Sequence, residues 1–286
     1  MGGISVVIPA RDESASIGAV VGKVRAVLAA AEIIVVDDGS TDGTAETARA
    51  QGAEVVRHPH PMGNGAAIKT GARRAQGDVL VFLDGDGQHN PEDIPRLLEG
   101  ITAGHDLVVG ARDAASQSSP WRFVANSVYN RLASWIVGQR IRDLTSGFRA
   151  ARAAPFREFL DLYPNGFSCP TTSTMAFFRA GYSVNYVPIR AARHTGGSHI
   201  RLLHDGSRFF IIIFRIGTLY SPLKIFAPVS AGLFTMGAGY YAYTYLTQGR
   251  FTLFGALLFL SAIMIFMIGL VSEQITALLF LNRRRP

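Results

Sequence analysis

The sequence predicts an α/β fold with a mostly parallel sheet over its first two thirds, followed by an apolar C-terminal region. Three observations lead to this prediction. Short, wholly apolar runs alternate with segments of helical periodicity, which is typical of strands buried on both faces of a parallel sheet. Several of these runs end in acidic or proline-containing turns. Two long segments near the C-terminus carry almost no charge.

Each predicted element has a start or stop signal, such as Pro9 after the first apolar run or a Ser, Thr or Asp before a helix. The predicted strands are Ile4–Ile8, Glu32–Val36, Ala53–Arg57, Asp78–Leu83, Leu107–Val109 and Tyr182–Pro188. Predicted helices run from a Ser14 or Ser16 cap to Ala30, from a Thr41 or Asp42 cap to Gln51, and over Gly63–Gln76, Pro91–Gly100 and Trp121–Gly138. We expect loops at Ala111–Pro120, Asp143–Arg149 and Ser168–Ser173.

The charge is unevenly distributed along the chain. The net charge is +7, and residues 195–286 contribute eight Lys/Arg against two Asp/Glu. A basic region that is also the most apolar part favours a membrane surface over nucleic acid as a partner. Cys169 is the only cysteine, which excludes a disulfide within the chain. The N-terminus shows no basic region before its short apolar run, so we expect no secretory signal.

Two segments of the C-terminal region are long enough to cross a bilayer. Lys224–Leu246 has 23 residues and Phe251–Ser272 has 22, whereas a spanning helix needs about 20. The link between them permits only a tight hairpin. Basic residues flank the outer ends of the pair, with Arg250 alone at the hairpin, so both ends and the N-terminal domain should lie in the cytoplasm.

An amphipathic helix is predicted before the spans. Arg208 and Arg215 lie seven residues apart in an apolar stretch ending at Tyr220, a pattern typical of helices in the membrane interface. The expected organisation is therefore a cytosolic catalytic domain (1–201), an interfacial region (202–222) and a two-helix anchor (223–286). Gly232, Gly237 and Gly239 permit close helix packing, and hence a homo-oligomer.

The turn Asp84-Gly85-Asp86 follows an apolar strand and places two carboxylates one residue apart. Carboxylate oxygens suit Mg²⁺ or Mn²⁺, which in turn bind phosphate oxygens. Gln88 adds an amide oxygen as a third ligand, and His89 is expected beside the site rather than on the metal. The alternative is an ordinary Asp-Gly turn. A divalent ion here would neutralise a diphosphate leaving group.

A second acidic turn, Asp37-Asp38-Gly39-Ser40, also lies between a strand and a helix. A carboxylate at this position can accept hydrogen bonds from a ribose or base, and Gly39 allows close backbone approach. The alternative is a helix N-cap formed by Asp38 or Ser40. Ligands of parallel sheets bind at the carboxyl ends of the strands, so the turns after the strands should face one cleft.

Three motifs together resemble the family 2 glycosyltransferases of the GT-A fold, in particular the polyprenyl-phosphate branch that includes dolichol-phosphate mannosyltransferases and polyprenyl-phosphate glucosyltransferases. The motifs are IIVVDDGSTDGT (Ile33–Thr44), DVLVFLDGDGQHNPE (Asp78–Glu92) and DLTSGFR (Asp143–Arg149). The resemblance extends from Ile4 to Arg201. It implies inverting transfer of a hexose from a nucleotide sugar, GDP-mannose or UDP-glucose, to a polyprenyl phosphate at the cytoplasmic membrane face.

The resemblance also implies roles for individual residues, which fall into three groups. Those expected to bind the nucleotide sugar are Pro9, Ala10, Glu13, Asp38, Gly39, Arg193, Ser198 and Arg201. Those expected to hold the metal and diphosphate are Asp84, Asp86 and Gln88. Those expected to bind the acceptor phosphate are Arg142, Ser146 and, more weakly, Arg131; Asp84, Asp86, Arg142 and Ser146 form the expected catalytic set.

The chain departs from the family pattern at two places. Arg11-Asp12-Glu13 stands where the family usually has aromatic-Asn-Glu, and His199 stands where it usually has Lys. From the residues alone, Arg142 could instead pair with Asp143 or Asp161, and Ser146 could cap a turn. Two other functions are considered: a processive polysaccharide synthase, although its usual Gln-x-x-Arg-Trp motif is missing from the sequence, and a catalytically degenerate membrane-tethered binding partner.

Overall fold

The structure is a computed structural model that describes residues 3–112, 120–166, 169–189, 214 and 217–281. The chain divides into two compact units. The first contains residues 1–135 and 139–200, and the second contains residues 136–138 and 201–286.

The first unit is built on a seven-stranded sheet of order β3-β2-β1-β4-β6-β5-β7. All pairs are parallel except the two that β6 makes with β4 and β5. The predicted α/β class with a mostly parallel sheet is therefore confirmed. The strands are β1 (Ile4–Ala10), β2 (Glu32–Asp37), β3 (Glu54–Arg57), β4 (Val79–Phe82), β5 (Leu107–Arg112), β6 (Arg149–Arg152) and β7 (Val184–Ile189).

Helices connect the strands and cover the sheet. Residues Pro91–Asp93 and Leu160–Leu162 form short 3₁₀ turns. The helices of this unit are α1 (Ile17–Val27), α2 (Thr44–Ala50), α3 (Asn64–Arg74), α4 (Ile94–Thr102), α5 (Pro120–Val137), α6 (Ala153–Glu158) and α7 (Cys169–Arg179).

The structure differs from the sequence prediction in two elements, one that was missed and one that was predicted wrongly. The antiparallel strand β6 was not predicted, because Arg-Ala-Ala-Arg carries no β-branched or aromatic residue to indicate a strand. The segment Ser168–Ser173 was predicted as a loop, but Cys169 begins helix α7. Pro170 and the hydroxyl-rich run after it read as a loop, although proline is well tolerated in the first turn of a helix.

The core lies between the apolar sheet and the helices. Residues such as Val6, Ile8, Val35 and Val81 are almost fully buried. Helix α3 approaches the sheet so closely that a Cβ on Gly71 would lie 2.3 Å from Val7 Cγ1. The sheet is therefore a rigid platform, with the carboxyl ends of β1, β2 and β4 at one edge.

The second unit contains a helical hairpin, α8 (Pro222–Gln248) and α9 (Leu253–Leu281). The Ser230 hydroxyl donates to the Ala262 carbonyl at 2.7 Å. Near the other end, the backbone N–H of Leu223 donates to Glu273 Oε2 at 3.3 Å, which satisfies a donor of the first turn of α8 that has no partner within its own helix.

One segment of the described chain, Leu253–Leu278, is long and apolar enough to cross a membrane, with a mean hydropathy of 2.6. It contains the predicted span Phe251–Ser272 almost entirely. The other predicted span, Lys224–Leu246, forms helix α8 but is not confirmed as a span. Large apolar side chains on both helices are exposed, including Phe234 and Met264. Most of the predicted interfacial region 202–222 lies outside the described residues.

The glycines predicted to support helix packing differ in their surroundings. A Cβ on Gly237 would lie 3.3 Å from Leu258 Cβ, so Gly237 is used inside the hairpin. Gly232 and Gly239 would meet nothing within 4 Å among the described residues. Oligomerisation therefore stays a prediction.

Candidate active site

Four loops meet at the carboxyl edge of the sheet because of its topology. Three of them follow β1, β2 and β4. The fourth, residues 142–148, leads into β6, whose first residue Arg149 pairs with Phe82 at the end of β4. Because β6 is antiparallel, its beginning lies at the edge where the parallel strands end. The strand β6, which was not predicted, thus brings the DLTSGFR motif to the turn Asp84-Gly85-Asp86, called the DGD turn below.

The carboxylates of the acidic turn after β2 bind other groups of the protein. Asp37 Oδ1 accepts from the Ser40 N–H at 2.8 Å, and its other oxygen lies 3.2 Å from Arg57 Nε. Gly39 has φ of +70°, and a Cβ there would lie 2.8 Å from the His60 carbonyl carbon. Glycine is therefore required at this position, because the segment at His60 leaves no room for a side chain and the backbone has a positive φ.

Asp38, predicted to bind the nucleotide, is buried and holds the segment after β3. Its carboxylate accepts hydrogen bonds at 2.8 Å from His58 Nδ1 and from the backbone N–H groups of Met62 and Gly63. Burial acts to raise the pKa of Asp38, but these hydrogen bonds outweigh it and lower the pKa below its ordinary value. Asp38 thus fixes the loop between β3 and α3.

The loop after β1 is fastened to the β2 turn. Asp12 has φ of +52°, a conformation that Asn and Asp tolerate better than most residues. Its carboxylate accepts from the Thr41 N–H at 2.8 Å. The departure from the family's Asn therefore preserves both the backbone shape and the acceptor. The Glu13 N–H donates to Thr44 Oγ1 at 2.8 Å.

The first loop also contacts the DGD turn. Ser16 Oγ lies 2.8 Å from both Glu13 Oε2 and the Gly85 carbonyl. The Gly85 N–H donates to the Pro9 carbonyl at 3.3 Å, and a Cβ on Gly85 would lie 3.1 Å from Ala10 Cβ. Pro9 and Ala10 are buried, so they form the floor between the two acidic turns.

In the DGD turn the two carboxylates have different surroundings. Asp86 accepts from the backbone N–H of Gln88 at 3.0 Å and from the Gln88 side-chain amide at 2.6 Å. The Asp84 side chain is 35% exposed and lies 3.8 Å from His89 Nε2. His89 is buried, and its ring stacks on Phe148 with centroids 5.3 Å apart. It stands behind Asp84, as expected of a residue beside the site.

The charges at this turn perturb one another. Partial burial raises the pKa of Asp84, and the nearby charge of Asp86 raises it further, while His89, a hydrogen bond from Asn64 and the charge of Arg149 act in the opposite direction. Burial lowers the pKa of His89, which favours the neutral imidazole at neutral pH. A cation would stabilise the ionised forms of these two neighbouring carboxylates, which otherwise repel each other.

Two carboxylates in one turn are the type of donor set that Mg²⁺ or Mn²⁺ takes in proteins. A Cβ on Gly147 would lie 2.7 Å from Asp84 Oδ2, so the fourth loop leaves room for this carboxylate only because residue 147 is glycine. No group of three or more His, Cys, Asp or Glu able to hold a metal occurs among the described residues. Mg²⁺ sites commonly use one or two carboxylates and complete the shell with water and phosphate.

The fourth loop is held by residues that sequence reasoning missed. Arg112 forms a bidentate pair with Asp143, with Nε 2.8 Å from Oδ2 and Nη2 3.0 Å from Oδ1. Asn130 of α5 donates to the Arg142 carbonyl at 2.8 Å and accepts from the Leu144 N–H at 3.1 Å. Arg112 and Asn130 stand alone in the sequence, with no motif around them to indicate these contacts.

The predicted acceptor residues differ in exposure. Arg142 and Arg131 are both exposed. Neither alternative partner of Arg142 is free, because Asp143 pairs with Arg112 and Asp161 lies 3.6 Å from an Arg73 nitrogen.

Ser146 is 1% exposed and fixed on both sides of its backbone. Its N–H donates to Asp143 Oδ1 at 3.1 Å, and its carbonyl accepts from Arg149 Nη2. Its hydroxyl has no partner among the described residues. The remaining predicted residues, Arg193, Ser198 and Arg201, and the departure at His199, lie outside the part of the chain that the structure describes.

Comparisons with protein families give two matches. The profile described as glycosyl transferase family 2 matches residues 5–161, and that of the GtrB C-terminal hairpin matches residues 221–278. The first covers all four loops of the site and every strand of the sheet except β7, and the second covers α8 and most of α9.

Individual relatives are similar over most of the chain. Polyprenol monophosphomannose synthase of Mycolicibacterium smegmatis is 34% identical over 200 residues, which cover 64% of this chain and 75% of the relative. Undecaprenyl-phosphate 4-deoxy-4-formamido-L-arabinose transferase of Pseudomonas aeruginosa is 29% identical over 306 residues, covering 99% and 88%. Glycosyltransferase AglJ of Haloferax volcanii is 31% identical over 227 residues, covering 76% and 74%.

Solved structures support the fold. Glucosyl-3-phosphoglycerate synthase of Mycobacterium tuberculosis, crystallised with Mn²⁺, UDP-glucose and phosphoglyceric acid, superposes with a TM-score of 0.63 at 23% identity, covering 76% of this chain and 80% of that one. The predicted GT-A fold is thereby confirmed.

Proposed function

Since the chain belongs to glycosyl transferase family 2, we propose that it transfers a hexose from a nucleotide sugar to a polyprenyl phosphate, with inversion at the anomeric carbon. The observation that carries the proposal is the contact between two loops. The Asp84 carboxylate lies against Gly147 of the DLTSGFR loop, so a diphosphate at the acidic pair would lie beside the residues proposed for the acceptor.

On the donor side, the proposed binding residues lie at the carboxyl edge of the sheet. Pro9 and Ala10 are buried at the end of β1, Glu13 lies on the loop that follows, and Asp38 with Gly39 fixes the turn after β2. Asp84 and Asp86, with Gln88 beside them, would hold Mg²⁺ or Mn²⁺. When bound, the ion supplies positive charge to the diphosphate as it leaves. Arg193, Ser198 and Arg201 are proposed to close over the donor phosphates.

On the acceptor side, the nucleophile needs orientation more than deprotonation. A phosphate monoester is an anion at neutral pH, so no strong general base is required. The exposed guanidinium of Arg142 can bind it through two parallel hydrogen bonds, the unpartnered Ser146 hydroxyl can donate a further one, and Arg131 adds positive charge. One phosphate oxygen then attacks the anomeric carbon on the face opposite the diphosphate, and the bond to the diphosphate breaks.

The C-terminal hairpin is proposed to anchor the enzyme with two spans and a cytoplasmic catalytic domain. The apolar segment Leu253–Leu278 and the match to the GtrB hairpin support an anchor. The relatives named for polyprenol and undecaprenyl phosphate support a lipid acceptor, which an enzyme at the membrane can reach.

The test uses the full chain, purified in detergent and incubated with undecaprenyl phosphate and each of radiolabelled GDP-mannose and UDP-glucose, followed by extraction of the lipid. We expect a labelled lipid with one donor, formed with Mg²⁺ or Mn²⁺ and lost with EDTA. N-acetylated UDP-sugars extend the donor panel. Labelled polymer in place of a single-sugar lipid would support a processive synthase, and no transfer with any donor would contradict the proposal.

A further inference from the structure

Arg149 is a buried cation to which the proposed function assigns no role, on either the donor or the acceptor side. It is the first residue of β6 and is 3% exposed. Its guanidinium donates from Nη1 to the Pro170 carbonyl at 2.9 Å and to Ser173 Oγ at 2.7 Å, and from Nη2 to the Ser146 carbonyl. One side chain therefore joins the DLTSGFR loop to the first turn of α7.

Among the described residues, the arginine has no counter-charge at hydrogen-bond distance. All its acceptors among the described residues are carbonyl or hydroxyl oxygens, with Thr174 Oγ1 the most distant at 3.3 Å. Its Nε is buried and has no hydrogen-bond partner in the described chain. Burial of a charge without a directly paired opposite charge is costly, and a purely structural link between a loop and a helix does not need a charge.

The contact lies beside the one free group of Ser146. The Ser146 N–H is bonded to Asp143, its carbonyl to Arg149, and only its hydroxyl lacks a partner within the part of the chain that the structure describes. With both sides of the backbone held, the position of the hydroxyl is limited to rotation about one side-chain bond. Fixing a binding group in this way before the ligand arrives lowers the entropy lost on binding.

We propose that Arg149 is a positioning residue for the acceptor: by holding the Ser146 carbonyl against α7, it fixes the Ser146 hydroxyl and adds buried positive charge behind the phosphate of the lipid. This inference rests on the proposed function. For a change to Lys, which keeps the charge that acts on Asp84, it predicts a defect confined to the acceptor, because the hydrogen bonds of Arg149 reach none of the described residues assigned to the nucleotide.

Arg157 provides a matched control. Its guanidinium likewise donates to two backbone carbonyls, those of Ala72 and Ala75, but it joins α6 to α3 and makes no hydrogen bond to the DLTSGFR loop within the described chain. An Arg→Lys change at either position keeps the charge and removes the planar arrangement of donors. A change that acted only through stability should leave the acceptor constants of both variants at the wild-type values.

The experiment compares the full chain with Arg149→Lys and Arg157→Lys in detergent. Calorimetry gives the Kd for farnesyl phosphate and for the nucleotide donor, kinetics give KM and kcat, and melting curves report folding. For Arg149→Lys we expect the farnesyl phosphate Kd and acceptor KM to rise by roughly tenfold, the effect of one hydrogen bond to a charged group, with donor Kd within twofold. For Arg157→Lys we expect a lower melting temperature only.

The inference is overturned if the acceptor constants of Arg149→Lys match the wild type, or if donor and acceptor constants change together. Should Arg149→Lys fail to fold, Ser173→Ala removes one acceptor of the guanidinium and should raise the acceptor KM by about threefold with donor Kd unchanged; no change would equally overturn it. A wild-type chain that neither binds farnesyl phosphate nor transfers sugar contradicts the proposed function itself.

Discussion

Two acidic turns flank β1 in this protein, and they look alike in the sequence but differ in the structure. The turn after β2, Asp37-Asp38-Gly39-Ser40, uses its carboxylates to bind the protein's own N–H groups. The turn after β4, Asp84-Gly85-Asp86, leaves Asp84 partly exposed beside a second carboxylate.

The pKa shifts of the two turns have opposite signs. Hydrogen bonds lower the pKa of Asp38 although burial opposes them, whereas burial and the charge of Asp86 raise the pKa of Asp84. A carboxylate whose charge is already satisfied stabilises the fold. One whose charge is disfavoured can gain from a cation supplied with the substrate. Each of the four predictions below tests this distinction.

The largest effect is expected for Asp84→Asn and Asp86→Asn. Each should lower sugar transfer by roughly 10³-fold, because the site loses a carboxylate proposed to hold the cation whose positive charge balances the diphosphate. The measurement is the rate of labelled-lipid formation. Asp78→Asn is the matched control: it removes the same charge from the other end of the same strand, where Asp78 is exposed, and should leave the rate within about twofold.

Stability should move in the other direction at Asp84. In metal-free buffer, Asp84→Asn should leave the melting temperature unchanged or raise it, since a disfavoured charge is removed. A clear loss of stability, or full activity in either variant, would contradict the assignment of this turn to a metal.

Asp38→Ala is expected to act mainly on stability. The change leaves the N–H groups of Met62 and Gly63 and the ring of His58 without their acceptor. The free energy of unfolding should fall by about 2–4 kcal/mol, measured by urea denaturation. If stability is retained and donor affinity alone is lost, Asp38 contacts the nucleotide directly, as the family resemblance implies.

The pH dependence of this loss follows from the lowered pKa of Asp38. A lowered folded-state pKa adds stability that is fully present above the unfolded pKa, about 3.9 for Asp, and is lost as the pH falls through the folded value. The difference between wild type and Asp38→Ala should therefore shrink below about pH 4.

The contrast between the turns also shows how far sequence reasoning reaches. The strands predicted at Ile4–Ile8 and Glu32–Val36 begin at the predicted residues and end two residues and one residue later, because wholly apolar runs specify a buried strand. The DGD turn was placed correctly at the edge of the sheet for the same reason. The hydrogen bond between Asp38 and His58, which lies 20 residues away, could not be predicted. No local sequence pattern specifies which side chain binds Asp38.

The acceptor side was the least predictable part. Its position depends on β6, a four-residue strand without a strand signal, and on Arg112, which pairs with a residue 31 positions later. Such contacts are set by tertiary packing rather than by local sequence. The motif identified the loop, whereas the residues that hold it became visible only in the structure.

A smaller effect is expected for Gly147→Ala, which tests whether the fourth loop positions Asp84. The added Cβ would lie 2.7 Å from Asp84 Oδ2, so the carboxylate or the loop must move. A shift of this kind should lower transfer by roughly 10- to 100-fold with little change in melting temperature. Gly166→Ala is the control, because its Cβ would meet no atom of the described residues within 4 Å. Equal rates in both variants would show that Asp84 tolerates the displacement.

The smallest effect is expected at Asp12, which joins the loop after β1 to the acidic turn after β2. Asp12→Asn keeps the acceptor for the Thr41 N–H and a side chain that tolerates φ of +52°, so stability should stay within about 0.5 kcal/mol. Asp12→Ala loses both and should cost about 1–2 kcal/mol, measured by urea denaturation. If Asn proves as damaging as Ala, the negative charge itself matters at this position. The β1 loop would then resemble the DGD turn, where the charge is proposed to bind the ligand, more than the turn after β2, where the charge stabilises the fold.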